Sequence, residues 1–235
     1  MTVRDGRYSE RGRRLTPRDS RPTFLAWPTN FDLEVSLREV RPKIWRRFLL
    51  TTGATFQQLH DAIQVACDWG DYHLFMFGKR PSWDSKFVIA GIPDDEYGDP
   101  APDARRAKLI SYFTPYGPKE CFYLYDFGDS WWHRVKLHGI VSVPDRFTRR
   151  LLGGKRAFPP EDSGGLPGYA ECVAVAATGE DVEERFAWLG EWKPESFDLG
   201  AAKAAFDIPR GKTGAATARV EGVLELKAPR ARKKR

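Results

Sequence analysis

Two carboxylates and an imidazole, Asp126, Asp129 and His133, fall within eight residues of one another in the run DFGDSWWH. Donors of these types at this spacing could hold a divalent cation or divide acid–base work. Aspartate is equally an ordinary turn residue that accepts hydrogen bonds from its own backbone. Alternation also puts His133 on the strand face of Trp131 and Val135, where a hydrogen-bonded core histidine is the plain expectation. A second acid pair, Glu161 and Asp162, lies in PPEDSGGLPGY. Its prolines fix an extended approach, its glycines permit close backbone contact, and Gly168–Tyr169 open a helix. A glycine-rich loop ahead of a helix can cradle phosphate, but two acids repel an anion, so a cation or a Lys/Arg partner fits better. Asp126, Asp129, His133, Glu161 and Asp162 therefore form the candidate catalytic or metal-binding set. The two segments are expected to meet within about one side-chain length, roughly 6–7 Å.

The remaining chemistry-bearing residues point less sharply. Asp71 and His73, in WGDYHLFMF, read as a solvated acid and a strand histidine. His60 falls inside a helix and His138 near a strand end, neither with a visible partner. Ser130 beside His133 is no nucleophile elbow. The DFG string has neither a glycine-rich phosphate loop nor an HRD loop with it. Cys67, Cys121 and Cys172 contain no C-x-x-C pair, which argues against structural zinc and a disulfide framework and for three buried thiols in a reducing, cytoplasmic setting. No cofactor is predicted, and a divalent cation is the one that the residues admit. Trp45, Trp69, Trp83, Trp131, Trp188 and Trp192 are expected mainly in the core. Trp132 points away from Trp131, beside Arg134 and Lys136, and these three form a candidate nucleic-acid or partner surface.

These residues need elements to position them. FDLEVSLREV alternates as a half-buried strand, and KIWRRFLL continues as a second one beyond Pro42. TFQQLHDAIQVACDWG has apolar residues at helical spacing, a capping box in Thr55 and Gln58, and Gly70 after its end. YHLFMF and SKFVIAG read as strands, IPDDEYGDPAPDARRA as a surface loop, and KLISYF as a short helix or strand. CFYLY and WWHRVKLHGIVSV form a hairpin around DFGD, with Gly128 suited to a positive φ. Residues 153–167 are expected to be irregular. Helices follow in GYAECVAVAATG, in DVEERFAWLG from Asp181, and in SFDLGAAKAAFD from Ser196 or Asp198. Strands with one intervening helix and then a helical run predict an α+β fold with a partly antiparallel sheet.

The 235 residues suit one domain, and no apolar stretch approaches the 18 or so residues of a membrane helix. The N-terminal stretch has no apolar run behind its arginines and so is no secretory signal. Charge is unevenly placed. Residues 1–22 carry seven arginines against three acids, and residues 209–235 carry nine Lys/Arg against two. The tails thus hold +4 and +7 of a total +6, leaving residues 23–208 at −5. Both tails read as disordered, with VEGVLEL able to pair weakly as a strand. The chain divides into an arm, 1–22, one α+β domain, 23–208, and a tail, 209–235.

Three segments carry a resemblance when taken in order. They are RPKIWRRFLL with TFQQLHDAIQVACDWGDYHLFMF, FYLYDFGDSWWHRVKL, and GGKRAFPPEDSGGLPGY, with WKPESFDLGAAKAAF closing the series. The chain resembles the Ri-plasmid open-reading-frame-three-like family, some of whose members are labelled insertion-element passenger TnpR, over roughly residues 30–208. The resemblance implies an α+β fold and an association with plasmids and mobile elements, and it brings no established activity. Many members carry Cys on both sides of the PPED element. Phe158 and Ser163 stand there in this chain, so a thiolate metal site built on those cysteines is absent. Neither the serine nor the tyrosine recombinase constellation is found, and resolvase activity is not supported.

The leading expectation is an accessory protein of plasmid or mobile-element origin. It would bind nucleic acid weakly and nonspecifically through its tails, above all through Arg230, Arg232, Lys233, Lys234 and Arg235. The alternatives are a metal-dependent, hydrolase-like enzyme on the five-residue set and a protein-binding module around Trp132. No convincing catalytic constellation decides for an enzyme, and the sequence sets no oligomeric state.

Overall fold

The computed structural model describes residues 28–92, 101–181 and 184–209. The arm 1–22, VEGVLEL and the basic run ending at Arg235 lie outside the described residues. The fold is α+β. Eight strands form one sheet, all paired antiparallel, in the order β4-β3-β5-β6-β1-β2-β7-β8. They are β1 (Thr29–Leu37), β2 (Trp45–Thr51), β3 (Phe75–Gly78), β4 (Val88–Gly91), β5 (Glu120–Tyr125), β6 (Trp131–Ser142), β7 (Phe147–Lys155) and β8 (Ile208–Pro209). The helices are α1 (Phe56–Cys67), α2 (Leu109–Tyr112), α3 (Gly165–Thr178) and α4 (Leu199–Phe206).

Period-two patterning decides which sheet face is apolar. Phe31, Leu33, Val35 and Leu37 of β1 line up with Trp131, His133, Val135 and Leu137 of β6 and with Cys121, Tyr123 and Tyr125 of β5. Onto this face α1 lays Phe56, Leu59 and Ile63, and α4 lays Phe206 against Phe48. The start of α1 is fixed by the capping box: Thr55 accepts from the Gln58 amide and Gln58 accepts from the Thr55 amide. On the opposite face the polar residues satisfy one another. Arg47 donates two bonds to Asp32 at 2.8 and 2.7 Å, and Lys43 pairs with Glu34. These pairs are why β1 is buried along most of its length rather than on alternate residues.

Four local expectations need correction. Residues 153–155 and 165–167 are regular, because β7 runs to Lys155 and α3 begins at Gly165 rather than at Gly168. Gly154 makes the strand workable: a Cβ there would sit 2.5 Å from the Arg46 Cδ, so glycine clears the path of the Arg46 side chain. SKFVIAG begins as a 3₁₀ turn, Ser85–Phe87, capped by Asp84, and becomes a strand only at Val88. In DVEERFAWLG the described part holds only a 3₁₀ turn, Ala187–Leu189. There the Asp181 carboxylate accepts from the Arg185 and Phe186 amides and closes a loop instead of starting an α-helix. In the β5–β6 turn, Asp126 (φ 54°) and Ser130 (φ 56°) take the left-handed conformation and Gly128 does not. Asp126 tolerates it because its Oδ1 accepts from the Gly128 and Asp129 amides, at 2.9 and 3.2 Å.

Candidate functional site

Three connections converge at one end of the sheet: the segment between α1 and β3, the DFGD turn between β5 and β6, and the PPEDSGG loop between β7 and α3. The last two are locked together. Asp129 Oδ2 accepts from the Gly164 amide at 3.0 Å. Gly165 sits so close to the turn, at φ +68°, that a Cβ would lie 2.8 Å from the Asp129 carbonyl oxygen. Glu161 ties the loop to the other two walls. It accepts from the Tyr125 hydroxyl at 2.6 Å and from the Gly70 amide at 2.5 Å. Burial and then the neighbouring Glu161 carboxylate push the Tyr125 phenol up, so Tyr125 stays a donor to it.

At the mouth of this junction stand His73, Asp126 and Asp162. His73 Nε2 is 2.8 Å from Asp162 Oδ1 and 3.7 Å from Asp126 Oδ2, and one donor atom of each residue lies within 4.8 Å of the other two. Asp126 is buried, His73 half-buried and Asp162 exposed. Asp126 and Asp162 both hold a positive φ, 54° and 55°. Since Asp126 Oδ1 is engaged by its own turn, Oδ2 is the atom left to face His73.

The five candidates therefore separate. Asp126 and Asp162 reach the cluster, while Asp129 and Glu161 brace the loops around it. His133 is not part of it. It is fully buried, its Nδ1–H donates to the Trp131 carbonyl at 2.9 Å, and it packs among Trp69, Tyr123 and Phe158. Burial pulls its pKa down to about 4, so it is neutral in the fold. Phe158, at one of the positions flanking the PPED element, stacks on the His133 ring at 5.8 Å. His73 takes the place expected of His133. Its signal in the sequence was its position in a short connection rich in Asp and Gly, which only the fold carries to the other two loops.

Two other histidines also have partners that spacing did not show. His60 Nε2–H donates to Asp71 at 2.8 Å, its Nδ1 accepts from the Tyr123 hydroxyl at 2.8 Å, and Gln64 donates to that hydroxyl oxygen at 2.9 Å. Gln64 Oε1 accepts from the Asp71 amide at 3.2 Å, which closes a ring of four bonds. His138 lies 3.5 Å from Glu34. Trp132 is half-buried with its ring 6.3 Å from that of Trp83, and Arg134 donates to Glu120 at 2.8 Å. Trp69 and Trp131 are buried, whereas Trp83 and Trp188 are exposed. All three cysteines are free and buried. Among the described residues no helix is long and apolar enough to cross a membrane.

One protein is similar to this chain in sequence, and a second in both sequence and fold. A protein from Sinorhizobium fredii (strain NBRC 101917 / NGR234), described as uncharacterized protein y4hQ, is 38% identical over 175 residues, which cover 74% of this chain and 85% of the relative. The crystal structure of a protein of unknown function, MM3350 from Methanosarcina mazei Go1, matches with a TM-score of 0.62 and 37% identity, over 73% of this chain and 95% of the other. The family model for plasmid pRiA4b ORF-3-like proteins matches residues 29–201, a span that takes in the sheet, the DFGD turn, the PPEDSGG loop and the His73 connection. The chain thus belongs to the plasmid pRiA4b ORF-3-like family.

Proposed function

We propose that this protein binds a first-row divalent cation through His73, Asp126 and Asp162, and that the cation's open positions serve hydrolytic chemistry. The observation that carries the reading is the convergence of one imidazole nitrogen and two carboxylate oxygens from three separate loops within 4.8 Å. Tetrahedral zinc donors at 2.0–2.1 Å from the metal lie about 3.4 Å apart. The His73–Asp162 and His73–Asp126 separations of 2.8 and 3.7 Å bracket that value. Three protein ligands leave a fourth position for water, whose acidity a cation raises, and the exposure of Asp162 leaves that position reachable. The mixed nitrogen and oxygen donor set suits zinc or manganese rather than calcium or a thiolate-bound metal.

The test is calorimetric titration of the full chain with Zn²⁺ or Mn²⁺. The account expects one saturable site whose affinity falls at least about 10-fold in His73→Ala and in Asp162→Asn, with Asp129→Asn much less affected. Equal affinity in all four proteins would sink it.

A second reading, nucleic-acid association through the tails, rests on charge placement. The sheet-face cations Arg47, Lys43 and Arg134 are already paired with Asp32, Glu34 and Glu120. Phosphate contacts would therefore fall to the Lys/Arg of residues 1–22 and 209–235.

A further inference from the structure

A second concavity, of about 660 Å³, opens between the end of α1, the stretch from Phe158 to Glu161, and the segment that runs from Trp188 into α4. None of His73, Asp126 and Asp162 lines it. We propose that this cleft binds an organic anion, a carboxylate carried on a flat apolar body, with Arg46 as its counter-charge.

The argument starts from Arg46, which is only 5% exposed. It comes from the inward face of β2 and is held from one side. Its Nη1 donates to the carbonyls of Trp45, Lys155 and Arg156 at 2.9, 3.2 and 2.9 Å. The guanidinium lies between two rings, 5.0 Å from the centroid of Phe158 and 3.9 Å from that of Phe197. No carboxylate pairs with it among the described residues, and its Nε, fully buried, has no hydrogen-bond partner. A buried charge without a counter-charge is costly. Burial pulls its pKa down to about 10, against the opposing pull of Cys67 and Asp68.

Four acids line the cleft, Asp68, Glu161, Glu191 and Asp198, and none of them makes an ion pair with Arg46. Two of the four are engaged elsewhere. Asp198 caps α4, accepting from the Gly200 and Ala201 amides at 2.7 and 3.0 Å. Glu161 is held by Tyr125 and Gly70. With Nη1 saturated and Nε sealed, Nη2 is the nitrogen left for a ligand, a charge-assisted donor to one carboxylate oxygen. The walls supply the flat apolar surface. Trp188 and Trp192 both line the cleft, and each gives its indole N–H to a backbone carbonyl, of Arg185 and Phe158 respectively; Trp188 is the exposed one of the two. Lys193 adds a second cation to the wall.

The test uses the full chain, following the tryptophan indole resonances by NMR during titration with benzoate, acetate and benzyl alcohol. Benzoate is expected to saturate, binding about 10-fold or more tightly than acetate, which lacks the ring, and than benzyl alcohol, which lacks the charge. Arg46→Met should weaken benzoate by about 10-fold or more while leaving zinc binding unchanged, which separates this site from the cation site. If Arg46→Met does not fold, Trp188→Ala and Lys193→Ala carry the test, each expected to weaken benzoate about threefold or more. Absence of saturation by benzoate, equal affinity for the neutral alcohol, or full benzoate affinity in the folded variants overturns the proposal.

Discussion

His73 and His133 show how little residue type says about role. Both are histidines beside aspartates in the sequence, yet one meets two carboxylates at a loop junction and the other is sealed among Trp69, Tyr123 and Phe158. The sealed one has a measurable consequence. Its folded pKa of about 4 is below the ordinary 6.5, so between those values the unfolded chain binds the proton and the fold does not. Its contribution is complete above about pH 6.5 and is lost as pH falls toward 4, on the order of 3 kcal/mol in all. His60 is also lowered, by burial against the opposing pull of Asp71, and has the same sign. Urea unfolding from pH 7 to 4 should show His133→Phe losing less stability than the wild-type chain over that window. Parallel pH profiles would show that His133 does not titrate differently in the fold. What the sequence made legible here was the strand face of His133. The ring of bonds through His60, Tyr123, Gln64 and Asp71 was not legible, because it joins a helix to a strand 59 to 63 residues away.

The elements that were readable are those whose signals are local. The capping box at Thr55 marks α1, and Thr55→Ala should cost about 1 kcal/mol in chemical denaturation. The DFGD hairpin and the Asp198 cap of α4 are local in the same way. β7 was missed because Arg149, Arg150, Gly153 and Gly154 break its alternation. Its fitness comes from distant groups: the Phe206 carbonyl accepts from Arg149 at 2.6 Å, and the Asp207 carboxylate accepts from the Leu151 amide at 2.7 Å. The PPEDSGG loop yields the sharpest prediction at this scale. A Cβ on Gly168 would lie 1.6 Å from the Ser163 carbonyl oxygen, a backbone atom that cannot swing away. Gly168→Ala should therefore lose more than about 3 kcal/mol or fail to fold, whereas Gly139→Ala, with nothing within 4 Å, should stay within about 1 kcal/mol. Comparable melting temperatures for the two variants would contradict the packing described.

At the scale of the whole molecule, charge and topology divide the labour. The α+β class was legible because strand and helix periods are intrinsic to the sequence. The sheet order was not, since β6 leaves its hairpin with β5 to pair along β1 as well. If the tails bind nucleic acid, a chain of residues 23–208, at −5, should bind duplex DNA far more weakly than the full chain at low salt, and the difference should shrink as salt rises. Equal binding by both would place the interaction on the core. The central claim, however, concerns the seam where three loops meet, and one measurement addresses it directly. Crystals of the full chain grown with Mn²⁺ should give an anomalous peak bound by His73 Nε2, Asp126 Oδ2 and Asp162 Oδ1, at roughly 2.0–2.3 Å from each. A saturated crystal with no peak there, or with its peak held by other residues, would contradict the account.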